Sequence, residues 1–371
     1  MQNNIKLCYI LPDYNPKTDS HFYHLYEFLE KLSEKIDIFL IIERSNVDFK
    51  EIKIGNAEIY VQKFKFIPLR ILENLILVLK ARKRGYELFY THYGYIGATN
   101  AGIVTRLFGG KSYYWNCAMN WLFQKKDISK IGYKLSLNLS HYLVTGGETM
   151  KQGYVEHYKL KPEKVKILPN CINLNRFYKS SVSNERSDPA TSKTFLFVHW
   201  LSKRKGADMI VFIAKHLSQI LNIKYKIFVV GDGPYKEQLS KEIKENNLEN
   251  YIEIIGAVPN EKIIDYYKQA DIFIMPSMEE GFPRVLLEAM AMGVPYVAFD
   301  VGAVRELSPE TAQRFLVKSG DVELFAHKIE SLLNDKDTYK TFQKEELEKI
   351  KEYSMDSVMD KFINILSEST N

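Results

Sequence analysis

Two carboxylates eight residues apart, Glu280 and Glu288, stand in the stretch MPSMEEGFPRVLLEAMAMGVPYVAFDVGAVREL, residues 275–307. An apolar run ends at Met275, a loop follows, Pro283 stands where a helix would begin, and Gly293 where it would stop. This puts Glu280 in the loop and Glu288 in the second helical turn. Between them, the amides of Gly281, Phe282 and Arg284 belong to a helix N-terminus without a capping side chain. Such a terminus is an anion site suited to a diphosphate. Gly281 lets the main chain approach a ligand. Carboxylates on both sides of the anion site can accept hydrogen bonds from sugar hydroxyls. Taken alone, the same residues read more simply as helix-dipole partners (Glu279, Glu280) and an exposed helix residue (Glu288).

Three further strand-end loops carry compatible chemistry. In FLFVHWLSKRKGADMIV, residues 195–211, a strand leads into a basic loop and then Gly206, which places Lys205 within reach of a phosphate. A solvated basic loop is the alternative for any single lysine. In IFVVGDGPYKEQL, Gly231 and Gly233 permit a tight turn beside a ligand. The third glycine of the dinucleotide fingerprint is missing, which disfavours a dehydrogenase. Gly256 follows a strand where main-chain groups could read a base. Each signal is weak; four successive loops of this kind in one domain are not easily a coincidence.

Elements that would position these loops are legible along the chain. Apolar runs mark strands at 5–11, 36–42, 87–92, 112–116, 142–145 and 165–168. In the second half they fall at 194–199, 225–230, 252–255, 272–275, 296–299 and 314–317. Helical patterns alternate with them, at 21–32, 102–107, 207–221, 235–246, 260–269 and 283–292. Near-continuous apolar strands alternating with helices indicate parallel sheets covered on both faces. The fold class is therefore α/β, with two doubly wound domains in tandem. Their expected bounds are 1–175 and 194–350, joined by a Ser-, Asn-, Asp- and Pro-containing linker at 176–193. A last helix, 351–371, would return to the first domain. Ligands of doubly wound sheets sit at the carboxyl ends of the strands where strand order reverses, and two facing domains would enclose a cleft.

The order KG, VVGDGP, IIGAVPNEKIIDYYKQADIFIMPS, EEGFPRVLLEAMAMGVPYVAFDVGAVREL resembles the donor-binding half of family 4 of the retaining glycosyltransferases, closely over residues 195–307. The segment LVTGGETMKQGYVEHYKLKPEKVKILPNCINLNRF, residues 143–177, is similar to the end of that family's first domain. The first 140 residues match only in pattern. The resemblance implies the GT-B fold of two Rossmann-like domains and a nucleotide-sugar donor. It also implies roles by position. Glu280 would contact hydroxyls of the transferred sugar, Glu288 the ribose, Lys205 the diphosphate, and the amides of Phe282 to Arg284 phosphate as well. Gly231 and Gly256 would flank the nucleotide. Such an enzyme would use no metal or cofactor, with same-face attack and the donor phosphate as base.

Three positions depart from that pattern. His199 and Trp200 occupy the place of a Gly-Arg pair, and Arg204 is the candidate substitute cation. Asn116 falls where the family often has a histidine touching the donor sugar. The loop after the first strand, PDYNPKTDSHFYHLYEFL, lacks the usual glycines. His21 and His24 in that region and His92 at a strand end are the candidate acceptor contacts, although a packed histidine is the commoner meaning of each.

Composition narrows the remaining choices. The 371 residues are 46% hydrophobic and 26% charged, which is globular and long enough for two domains. No window has the roughly 18 apolar residues of a membrane span, and the start does not read as a secretory signal. Cys8, Cys117 and Cys171 have neither disulfide nor metal spacing, so a cytoplasmic location is expected. The sole DxD, Asp335-Lys336-Asp337, reads as a turn between helices.

Charge is uneven. Residues 1–175 carry 25 Lys/Arg against 16 Asp/Glu, and residues 176–371 carry 26 against 30, hence +9 and −4. The stretch FKFIPLRILENLILVLKARKRG, residues 64–85, and the Trp121–Phe123 run followed by Lys125 and Lys126 combine apolar and basic residues. These suit peripheral contact with an anionic membrane, although residues 72–79 read equally as a core helix. The expected acceptor is a glycan or lipid-linked glycan of bacterial surface polysaccharide assembly. No recurring basic-aromatic groove points to nucleic acid. A nucleotide-sugar epimerase and a non-catalytic nucleotide-sugar-binding scaffold remain the alternatives.

Overall fold

The computed structural model describes residues 5–15, 23–122, 128–181 and 192–368. The chain divides into two compact units, residues 1–169 with 358–371, and residues 170–357. Each is built on one parallel sheet. The first contains β1 (Lys6–Leu11), β2 (Asp37–Ile42), β3 (Glu58–Val61), β4 (Leu88–His92), β5 (Lys111–Trp115), β6 (Tyr142–Thr145) and β7 (Val165–Ile167). The second contains β8 (Ser192–Val198), β9 (Lys224–Val230), β10 (Ile252–Gly256), β11 (Ile272–Met275), β12 (Tyr296–Phe299) and β13 (Leu316–Val317). The strand orders are β3-β2-β1-β4-β5-β6-β7 and β10-β9-β8-β11-β12-β13. Both are doubly wound, with strand order reversing between β1 and β4 and between β8 and β11.

The continuous apolar runs are the buried central strands, as parallel pairing with helices on both faces requires. Each residue of β11 and β12 is buried, as are the last four of β8. In the first unit Cys8, Ile10, Phe39, Ile41 and Phe89 pack with Val78, Ala81 and Val104. In the second, Phe195, Phe197, Tyr267, Phe273 and Tyr296 are among the largest fully buried side chains.

Where element bounds differ from the sequence reading, the cause is local. β3 carries no apolar run because it is an edge strand, paired with β2 alone, and its residues are exposed or half-buried. Residues 311–315 form a 3₁₀ turn, which shortens the last strand to Leu316–Val317. Residues 174–181, expected partly as linker, form the helix Leu174–Ser181, and the division between units falls at 169/170. That helix is tied to the second unit through Arg176, which donates to the Asn260 carbonyl. Residues 182–191 lie outside the described part. The helix Met355–Ser367 enters the first unit at Val358, where Phe362 meets the rings of Phe28 and Tyr90 and Lys166 pairs with Glu368 at 3.0 Å. Asp335 of the DxD caps the helix Lys336–Lys349, its Oδ1 accepting from the Thr338 amide at 2.9 Å.

Candidate donor-binding site

In the second unit the sheet reverses order between β8 and β11, and the central residues leave from those two strands. β11 ends at Met275 and its loop carries Glu279 and Glu280. β8 ends at Val198 and its loop carries His199, Arg204 and Lys205. The strands pair in register, Phe195 opposite Ile272, so the two loops emerge side by side.

Glu280 is the centre of this junction. It is buried, with Oε2 2.7 Å from Lys205 Nζ and Oε1 2.8 Å from His199 Nε2. Burial by itself would raise its carboxyl, but the charge of Lys205 and the contacts of His199 outweigh this and hold it at about 2. Glu280 is thus a carboxylate at neutral pH. Two of its roughly four lone-pair sites are engaged, which leaves room for a hydroxyl donor. Lys205 is also buried, and its ammonium donates a second bond to the Glu279 carbonyl at 3.2 Å. Its third N–H can turn to a ligand.

His199 is held in one tautomer. The Trp200 amide donates to His199 Nδ1 at 2.9 Å, so the ring proton sits on Nε2 and points at Glu280. Burial lowers the His199 pKa below its ordinary value, with Glu280 pulling the other way. The imidazole is therefore neutral at neutral pH and acts as a hydrogen-bond donor, not as a second cation. Arg204 lies farther out, its Nη1 3.6 Å from Glu279 Oε1. Burial raises the Glu279 pKa and Arg204 opposes it. Arg204 therefore meets Glu279, with Lys205 and His199 on Glu280. Trp200, in the place of the family arginine, is exposed.

The helix Arg284–Ala291 begins after Pro283, which makes no side-chain cap bond to it. The Phe282 ring packs on Tyr353 at 5.8 Å, so only its main chain can serve a ligand, and its carbonyl accepts from Asn170 Nδ2 at 3.0 Å. Glu288 projects from the second turn. Its Oε2 lies 3.2 Å from the Tyr267 hydroxyl and its Oε1 3.8 Å from Arg284. Burial raises its pKa, while Arg284, Arg176 and the Tyr267 bond pull it down.

The glycines of these loops serve close main-chain packing. A Cβ on Gly231 would lie 1.9 Å from the His199 carbonyl oxygen, so the loop after β9 can pass β8 only as glycine. Gly302, after β12, has φ +54° and a Cβ there would lie 1.5 Å from the Glu280 carbonyl oxygen. Gly231 donates to the Gly256 carbonyl at 2.8 Å, which ties the β9 and β10 loops together. Beside them an open depression of about 870 Å³ is lined by Asp232, Gly233, Pro234, Lys236 and Ile254. Glu280 and Glu288 are not among its lining residues.

The structure thus brings Glu280, Lys205 and His199 together, sets Arg204 beside Glu279, and places Gly281, Phe282, Arg284 and Glu288 along one helix start. The remaining candidates lie in the first unit. Asn116 is buried; its Oδ1 accepts from the Ala118 amide and the Tyr154 hydroxyl, both at 2.9 Å, and its Nδ2 donates to Tyr114 at 3.1 Å. These bonds make it a brace at the end of β5. His92 stacks on Trp115 at 4.2 Å and meets the Tyr9 hydroxyl at 3.2 Å, a packed core histidine. His24 is half-buried on the helix Tyr23–Leu32, and His21 lies outside the described residues. His199, Arg176, Tyr267 and Gly302 carried no assigned role in the sequence. The one signal available was the polar His199 directly after a buried strand.

Two doubly wound parallel-sheet units are the architecture of the GT-B fold, and similarity to known proteins supports a glycosyltransferase. Residues 180–352 match the model of the family Glycosyl transferases group 1. The chain is 24% identical over 274 residues to the 2-deoxystreptamine N-acetyl-D-glucosaminyltransferase of Niallia circulans, covering 70% of each. It is 23% identical over 363 residues to the phosphatidylinositol N-acetylglucosaminyltransferase gpi3 subunit of Schizosaccharomyces pombe, covering 88% of this chain and 73% of that one. In structure it is similar to Anabaena Alr3699/HepE in complex with UDP, with TM-score 0.76, 17% identity, and 98% and 100% of the two chains covered. That likeness shows the fold.

Proposed function

We propose that the protein is a metal-independent retaining glycosyltransferase of family 4. It moves a hexose or related sugar from a UDP- or GDP-sugar to a glycan or lipid-linked glycan acceptor in bacterial surface polysaccharide assembly. The observation that carries this reading is the buried, ionised Glu280 clamped by Lys205 and His199 at the sheet's switch point, next to an uncapped helix start. A carboxylate of this kind accepts from sugar hydroxyls, and the Lys205 ammonium with the helix amides offsets the charge of the leaving diphosphate. Glu288, steadied by Tyr267 and Arg284, accepts from the ribose.

In the step itself the bond between the sugar's anomeric carbon and the diphosphate oxygen breaks. The acceptor hydroxyl oxygen bonds to that carbon on the same face, and its proton passes to the departing phosphate. No protein nucleophile is required. The relatives' names and the UDP complex of the structural neighbour make UDP-N-acetylglucosamine the first donor to try. The test is thermal stabilisation by a panel of UDP-, GDP-, ADP- and CMP-sugars, with Glu288→Ala as control. A ligand at a hundredfold excess over its dissociation constant adds about 2.7 kcal/mol. A shift with one nucleotide class that disappears in the variant supports the donor site; no shift with any donor counts against it. A second reading, binding without transfer, draws on His199 and Trp200 standing where the resemblance has Gly-Arg. A donor shift with no hydrolysis or transfer would favour it.

A further inference from the structure

The helix Ile67–Lys83 of the first unit is apolar on two sides. One side carries Val78 and Ala81 into the core against Ile10, Phe39 and Ile41. The other faces water, with Leu69, Leu72 and Ile76 at helical spacing, the last two 53% and 56% exposed. The run leading into it is exposed as well, including Phe64, Phe66 at 67% and Ile67 at 57%. Single exposed apolar residues are ordinary, but a contiguous set of this size marks a surface that something covers.

This run is a fixed ledge. The Glu73 carboxylate, one turn into the helix, accepts from the amides of Lys63 and Phe64 at 3.0–3.2 Å and holds the approach segment on the helix. Residues 63–84 hold seven cations against the one acid Glu73. Arg70, Arg82 and Arg84 pair with Glu43, Glu87 and Glu58, which leaves Lys63, Lys65, Lys80 and Lys83 against Glu73, a net +3. Lys63 and Lys65 alternate with the exposed phenylalanines, and Lys83 is exposed at the far end. A second copy of the chain is a poor occupant. A two-fold interface sets a patch against itself, which would bring two such charges together.

We propose that this face docks on an anionic lipid surface, with Phe64, Phe66, Ile67, Leu69, Leu72 and Ile76 at the depth of the upper acyl chains and the flanking lysines among the headgroup phosphates. Apolar burial and attraction to anionic lipid are the two terms that hold amphipathic helices on membranes. The docking deepens the reading of a lipid-linked acceptor and rests on it for its purpose, although the surface itself is independent of the donor site. Among the described residues no helix is long and apolar enough to cross a membrane, so the contact is peripheral. The second apolar-basic stretch, at 121–126, lies mostly outside the described residues.

The test is co-sedimentation of the full chain with phosphatidylcholine vesicles, with and without phosphatidylglycerol, at low and high salt. The protein is expected to pellet with the anionic vesicles and to release in high salt. Lys63→Glu with Lys65→Glu should weaken binding about fivefold for each charge removed, and more for each reversed. Leu69→Asp with Leu72→Asp should abolish it. Both sites are exposed, and unchanged melting and donor-induced shifts would show that the variants are folded. Equal binding of all forms, or none by the parent protein, overturns the docking. Loss of a dimer in the Leu69→Asp, Leu72→Asp variant without any vesicle binding by the parent also overturns it, in favour of self-association. Vesicle binding without any donor shift leaves the docking standing and removes the transferase reading instead.

Discussion

The Nε2–H of His199 donates to one oxygen of Glu280 at 2.8 Å while the ammonium of Lys205 holds the other at 2.7 Å. The two partners leave from the loop after β8 and the carboxylate from the loop after β11, so the contact ties the switch point together across 81 residues of sequence. Because Trp200 fixes the tautomer, His199 orients Glu280 without adding charge. It is a positioning residue.

His199→Ala should therefore lower stability by about 1–3 kcal/mol, since it leaves a buried carboxylate oxygen short of a donor. His199→Gln, which retains an N–H, should recover much of that loss and of donor affinity. Chemical denaturation and donor titration of the two variants check this. Equal losses in both would assign His199 to packing alone.

Removing either partner of this buried pair leaves the other's charge uncompensated, but Gln in place of Glu280 still offers Lys205 an accepting oxygen, so losing the cation should cost more. Lys205→Met leaves Glu280 buried and uncompensated, at about 3–5 kcal/mol. Glu280→Gln should fold and should cut transfer by about 10²–10³, as the loss of one preorganised polar contact does. Initial rates measured beside melting curves separate the two effects. A Glu280→Gln enzyme with wild-type rates would remove Glu280 from the site.

Acid should loosen the second unit through the same carboxylate. Glu280 titrates at about 2 in the fold against 4.5 ordinarily, so its contribution is present above 4.5 and is lost as pH falls through that window. The interval corresponds to about 3 kcal/mol. Burial of His199 acts in the same direction, because protonation below its ordinary 6.5 favours the unfolded chain. Stability of the parent protein should fall more steeply between pH 4.5 and 2 than that of Glu280→Gln.

Glu346 should show the opposite sign. It is fully buried on the helix Lys336–Lys349, and neither carboxylate oxygen has a hydrogen-bond partner among the described residues. Burial, with Glu345 adding to it, raises its pKa well above 4.5. A raised acid contributes its stability below the unfolded value and loses it as pH rises. Glu346→Leu should therefore stabilise the protein at neutral pH by about 1–3 kcal/mol, with a gain that grows with pH above 4.5. Melting curves across pH check it; a destabilised variant would show that the carboxyl has a use in the fold.

Much of this protein was present in its sequence. Apolar runs separated by helical periods marked every described strand except β3, because buried parallel strands are apolar on both faces. β3 escaped because an edge strand is not enclosed. The loops after β8 and β11 were also legible, since lysine, carboxylate, glycine and proline at strand ends have local meaning. What the sequence by itself determined was the class of fold and the chemistry on offer at each strand end. Only the tertiary structure decided which groups meet. His199 looked like an absent arginine until the register of β8 with β11 set it on Glu280. Arg176 read as linker until its helix brought its charge to Glu288. Asn116, a candidate ligand contact in the sequence, has its carbonyl oxygen tied to Tyr154 and Ala118, 38 and 2 residues away. Partners so distant in sequence leave no periodic signal, because a hydrogen bond constrains two atoms in space and nothing in the residues between them.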